Sequence, residues 1–219
     1  RGRLSGQMQE KSSGLVAFLF HWLALPLLLA IALQLPTYLD FGDKISGGID
    51  ALLFLHVFED NLDHLRSILV VEPKTFWSPD YFWPMQNTKA WGDHMVLHTL
   101  IYGLFRTFFS ASSSWTLWIT ALMLLNYISL RYCLGKISRF ANPYALSITS
   151  LAASYSPAVT ELMAQPKMLG LFLVPPLLIY IHNIFNSKSA LWPAKDLLAI
   201  SILTASSLLI TIYTFVFTF

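Results

Sequence analysis

The chain contains apolar runs as long as a bilayer is thick, and such runs leave few folds open. Residues 15–35 hold no Asp, Glu, Lys or Arg, and about 20 apolar residues are what an α-helix needs to cross some 30 Å of hydrocarbon. Comparable runs recur at 115–134, 144–159, 168–185 and 197–219. Lipid offers the backbone no hydrogen-bonding partner, so runs of this kind fold as helices that satisfy their own N–H and C=O groups. The expected fold is therefore all-α: a polytopic transmembrane helical bundle of about five spans, forming one membrane domain over 1–219. Charged residues make up 12% of the chain, against about 25% in a soluble domain.

Composition also excludes partners. A formal charge of +2, scattered along the chain, provides no clustered basic face for nucleic acid. The one cysteine, Cys133, can form neither an intrachain disulfide nor a thiolate metal cluster.

Arg1, Arg3 and Lys11 precede the first run, which places the N-terminus in the cytoplasm. Ala30-Ile31-Ala32 has the small-residue pattern of a signal-peptidase site, but the apolar core before it is longer than the usual 7 to 15 residues or so. The stretch 95–109 decides the topology. At about 1.5 Å per residue it reaches only about 22 Å, and it carries His98 and Arg106, so it reads as an interfacial helix. With five spans, Arg131, Lys136 and Arg139 fall in one cytoplasmic loop and Lys188 and Lys195 in the next, as the positive-inside rule requires. The last run reaches Phe219 without a polar flank, as expected of the front part of a longer protein.

In this topology 36–114 is one extracytoplasmic loop. It carries nine of the chain's 12 Asp and Glu residues: Asp40, Asp43, Asp50, Glu59, Asp60, Asp63, Glu72, Asp80 and Asp93. From Ala51 onward, Leu55, Phe58, Leu62, Leu65 and Leu69 recur at helical spacing with Glu59, Asp60, Asp63 and Arg66 between them, the pattern of an amphipathic helix on the membrane surface. Asp50, after Gly47-Gly48-Ile49, stands where an N-cap carboxylate accepts from free backbone amides, and Asp93, after Gly92, bears the same relation to the next helix. Between them, Phe76-Trp77-Ser78-Pro79-Asp80-Tyr81-Phe82-Trp83-Pro84 has the aromatic and proline content of a headgroup-level anchor.

This order resembles the GT-C superfamily of membrane glycosyltransferases, closest to a large bacterial group with an Asp-rich first outer loop. A second similarity is Leu134-Gly135-Lys136-Ile137-Ser138-Arg139, followed by Ser154-Tyr155-Ser156-Pro157, Gln165 and Val174-Pro175-Pro176-Leu177. The resemblance covers nearly the whole chain. It implies a bacterial inner-membrane enzyme that moves a sugar from a polyprenyl-phosphate donor to an extracytoplasmic acceptor. It carries a catalytic base over to Asp50, with Asp93 second, and a second-loop acid to Glu161. That loop lacks the Asp-X-Asp pair of metal-dependent members, so the resemblance fixes no cofactor and leaves a divalent metal open.

The chemistry itself needs a carboxylate near the acceptor hydroxyl and cations near the leaving phosphate. Arg106 and Lys167 are the candidate phosphate-binding cations, although Arg106 at a helix end equally complements the helix dipole or snorkels to headgroups. His94 and His98 share a helical face at metal-ligand spacing. His21 and His182 lie inside apolar runs, as interhelical hydrogen-bonding groups or intramembrane functional ones. Set against the enzyme reading is a non-catalytic subunit or scaffold of a larger membrane protein complex, whose partners would cover the loop. A transporter is a weaker fit, because the spans carry no row of charges.

Overall fold

A computed structural model of the chain describes residues 16, 18–40, 45, 48–68, 95–137, 142–157, 166–187 and 193–210. All regular structure among them is helical. A π-helical turn at Phe20–Ala24 runs into α1 (Leu25–Leu33), and α2 is Leu35–Leu39. The outer-loop region contributes α3 (Gly48–Ile68) and α4 (Val96–Arg106). Then come α5 (Ala111–Ile137), α6 (Pro143–Ser154), a 3-10 segment (Pro166–Leu173) leading into α7 (Val174–Phe185), and α8 (Ala194–Ile210).

Among the described residues one helix, α5, is long and apolar enough to cross a membrane. Phe20–Leu33 and Gly170–Phe185 are shorter apolar helices. The run 144–159 forms a helix only over Pro143–Ser154, 12 residues, or about 18 Å. The all-α expectation stands, whereas of the five expected spans only α5 is a helix of full spanning length among the described residues.

Helix α5 packs against α1, α4, α6, the 3-10 segment and α7, whereas α8 packs on α7, α4 and the 3-10 segment. At one end of α5 Arg131 is buried, donating from Nη1 to Pro143 O at 3.1 Å and lying 4.7 Å over the Trp22 ring. Arg131, expected in a cytoplasmic loop, is therefore part of the bundle. Its guanidinium replaces hydration with a carbonyl and an aromatic face. Beside it Tyr127 donates to His21 O at 2.5 Å, and His21 Nδ1 lies 3.4 Å from Ser147 Oγ. His21 thus bonds across to a neighbouring helix, whereas His182 is exposed and meets Asn186 of its own helix at 3.1 Å.

Further along α5, Gln34 Nε2 donates to Thr120 Oγ1 at 3.0 Å, and Tyr38 Oη lies 2.6 Å from the same hydroxyl. The first apolar helix and α2 thus end level with Thr120. That is about 13 Å along α5 from Ala111, and this protruding part of α5 is covered by α3 and α4. Phe58 stacks against Tyr102, Trp115 and Trp118 with ring centroids 5.2, 5.8 and 4.8 Å apart. Gly103 allows close approach, because a Cβ there would meet Leu62 Cδ2 at 2.8 Å.

The buried face of α3 overlaps the expected one and is turned from it: Phe58 is fully buried and Leu55 and Leu62 pack against the core, as expected, but Leu65 is exposed, Leu69 lies outside the described residues, and Ala51, Phe54, Val57, Asn61 and His64 complete the buried face. Leucines flank both sides of the aromatic stripe, so spacing alone admitted a helix turned by about one residue, or 100°. The cluster on α5 selects the aromatic side. Truncating its centre, Phe58→Ala, is expected to cost about 3–5 kcal/mol, read as a lowered thermal unfolding midpoint in detergent. An unchanged midpoint would show that α3 is not docked there.

Candidate functional site

Helices α3 and α4 hold most of the described polar side chains of the outer-loop region. Helix α4 starts with Met95 in the N-cap position, left-handed at φ 50° and fully buried. A bulky residue in this region costs about 1–2 kcal/mol, and burial of its side chain in the core offsets that cost. The expected cap, Asp93, is thus not at the N-cap position and itself lies outside the described residues. Met95 O accepts from Thr99 N at 2.9 Å and Thr99 Oγ1 at 3.0 Å, and Asn61 Nδ2 donates to Thr99 Oγ1 at 2.9 Å. A buried amide thereby joins the two helices.

About two turns further along α4 lies the ionic contact. Glu59 Oε1 accepts from Arg106 Nε at 2.7 Å and from the Tyr102 hydroxyl, and Arg106 Nη1 donates to Phe109 O at 3.1 Å. Both charged side chains are about one-third exposed (Arg106 32%, Glu59 29%). The Glu59 carboxylate raises the Arg106 pKa through its hydrogen bond, and burial followed by the same carboxylate raises that of Tyr102. Arg106 therefore stays charged and Tyr102 neutral across the physiological range.

The sequence-derived site residues fare differently. Asp50 is in the first turn of α3, third residue of the helix rather than its cap, because the helix already begins at Gly48. Position 50 falls on the helical face of Phe54, Val57 and Asn61, whereas Glu59 is about 13 Å further along the axis and half a turn around. Arg106 is thus held away from position 50, by a partner that sequence spacing placed on the solvent side. Lys167 is the second residue of the 3-10 segment, and Glu161 lies outside the described residues, as does His94. His98 is buried edge-on against Trp118 at 5.2 Å. Among the described residues no group of three His, Cys, Asp or Glu side chains could hold a metal ion.

Glu59 and Tyr102 had no sequence signal as a pair: they come from different helices, and only the docking of α3 on α4 brings them together. Glu59→Gln and Arg106→Gln are each expected to lower stability by about 1–2 kcal/mol, as befits a charge-assisted bond that is partly screened. Little further loss is expected in the double variant, read from unfolding midpoints; additive losses would show that the two residues act separately. The raised Tyr102 pKa also sets a pH dependence. An unfolded tyrosine loses its proton near 10.0 while the folded one keeps it, so stability falls as pH rises past that value. Tyr102→Phe is expected to remove that share of the alkaline loss. No protein-family model, curated protein or solved structure matches the chain.

Proposed function

We propose that the chain is part of a GT-C-like membrane glycosyltransferase of about five spans over this length, with 36–114 outside and the N-terminus in the cytoplasm of a bacterial inner membrane. The observation that supports this reading is the position of α3 and α4. Both pack on the part of α5 that extends past Thr120, where the first apolar helix ends, and α3 opens with Asp50 in its first turn. A carboxylate on the helix dipole at that level suits a base that works among lipid headgroups.

In this reading Asp50 accepts the proton of an acceptor hydroxyl as its oxygen attacks the anomeric carbon. The bond to the polyprenyl phosphate breaks, and the phosphate leaves with the electron pair. Asp93 is the alternative base, Glu161 the second-loop acid, and Arg106 and Lys167 the cations that steady the leaving phosphate. Arg106 would take that role only by exchanging Glu59 for phosphate.

One specific observation favours the second reading, a non-catalytic subunit or scaffold: the guanidinium best placed for phosphate is already neutralised by Glu59 at 2.7 Å. The enzyme reading is tested first at its base. In the full-length protein Asp50→Asn is expected to cut sugar transfer from a polyprenyl-phosphate donor by about 10²–10⁴-fold at normal expression. Undiminished transfer would remove Asp50 from the mechanism.

A further inference from the structure

Away from the loop helices, α5, α6 and the 3-10 segment enclose a cavity of about 230 Å³. Its wall includes Asn126 and Leu130 of α5, Ala153 and Ser154 of α6, Leu171 of the 3-10 segment and Pro175 of α7. Asn126 is about 22 Å along α5 from Ala111, well below the level of α3 and α4. Ala153 and Leu171 reach the protein surface and form the mouth, while Asn126 and Ser154 are buried at 6% and 4% exposure.

Three features of the wall point to an occupant. The first is size, since an apolar cavity of about 150 Å³ already binds a benzene molecule. The second is the backbone. The helix is interrupted at Gly170 (φ −68°, ψ 26°), and Pro176 withholds the amide that would bond to Phe172 O in an α-helix. Ser129 Oγ takes over that carbonyl at 2.5 Å. Irregular backbone at membrane depth survives where protein covers it or where it lines a cavity, and here it does both.

The third feature is Ser154. Ser147 and Ser150 of the same helix return their hydroxyls to Pro143 O and Leu146 O, at 3.0 and 2.7 Å. Among the described residues the Ser154 hydroxyl makes no such bond and has no partner, although it is buried at the cavity wall. A buried hydroxyl left unsatisfied costs about 1–3 kcal/mol, which an acceptor atom inside the cavity would recover. Water fits poorly in a wall that is almost all carbon, because it needs two to four polar partners.

From these observations we infer that the cavity binds one aliphatic chain of a bilayer lipid, which enters between Ala153 and Leu171 and accepts from Ser154 Oγ through an ester or hydroxyl oxygen. The inference rests on the membrane setting proposed above but not on sugar transfer. The chain lies along Leu130, Leu171 and Pro175, held by dispersion.

The test uses the whole protein in nanodiscs of phosphatidylcholine whose acyl chain carries a diazirine within the first few carbons after the ester, with adducts mapped by mass spectrometry after illumination. Carbene adducts are expected on buried Asn126 or Ser154 as well as on exposed Ile148 and Leu178. Ala153→Phe, which narrows the mouth, should lower the buried-site adducts about tenfold while sparing Leu178; Leu171→Trp serves the same purpose if that variant does not fold. Ser154→Ala should lower them about fivefold, the effect of one ordinary hydrogen bond, and an unchanged yield would refute that bond. Adducts confined to Ile148 and Leu178 would overturn the site and leave a dry or water-filled cavity. Adducts on neither set would overturn the membrane setting itself.

Discussion

The packing of Phe58, Tyr102 and His98 on Trp115 and Trp118 is the contact on which the rest of the molecule depends. These rings bury the protruding end of α5 under two helices too short or too polar to be spans. The cost of holding Met95 at positive φ and of burying Asn61 and His98 beneath the loop helices is met by that aromatic burial. Without it α3 and α4 would have only scattered polar contacts to fix them, and the acid-rich region would have no defined position relative to the bundle.

The Glu59–Arg106 pair plays a different part. At about one-third exposure it adds modest stability, but it sets which turn of α4 faces which turn of α3. The shared carboxylate oxygen, with Tyr102 as second donor, gives the contact a direction that apolar packing alone lacks. It also changes how the loop's charges are read, because the Arg106 charge is neutralised inside the fold by Glu59.

Much of the fold was legible in the sequence, for reasons that depend on particular residues. The absence of charge from 15 to 35 and the length of the run in α5 announce helices by themselves, and the 11-residue α4 has the brevity expected for 95–109. What could not be read was which side of α3 faces inward. Phe54, Val57 and Asn61 compete there with Leu62, Leu65 and Leu69 for the side beside Phe58, and the choice is made by two tryptophans more than 40 positions away. Arg131 was misplaced for a similar reason: a cation near a span end normally snorkels to water, but Trp22 and Pro143 O supply a local alternative. Of the polar contact between α3 and α4, Arg106 stands out in the sequence, while Glu59 and Tyr102 join it only through the docking of the two helices.

All of the functional reading requires α4 to stay on the outer side, level with the start of α5, so that the loop helices and the end of α5 at Lys136 face opposite compartments. Cysteine accessibility measures this directly, because the native Cys133 is buried and contributes little background. With a membrane-impermeant maleimide on intact cells, Asp63→Cys, at an exposed position of α3, is expected to label and Lys136→Cys to label only after permeabilisation. Labelling of Lys136→Cys in intact cells would contradict the account.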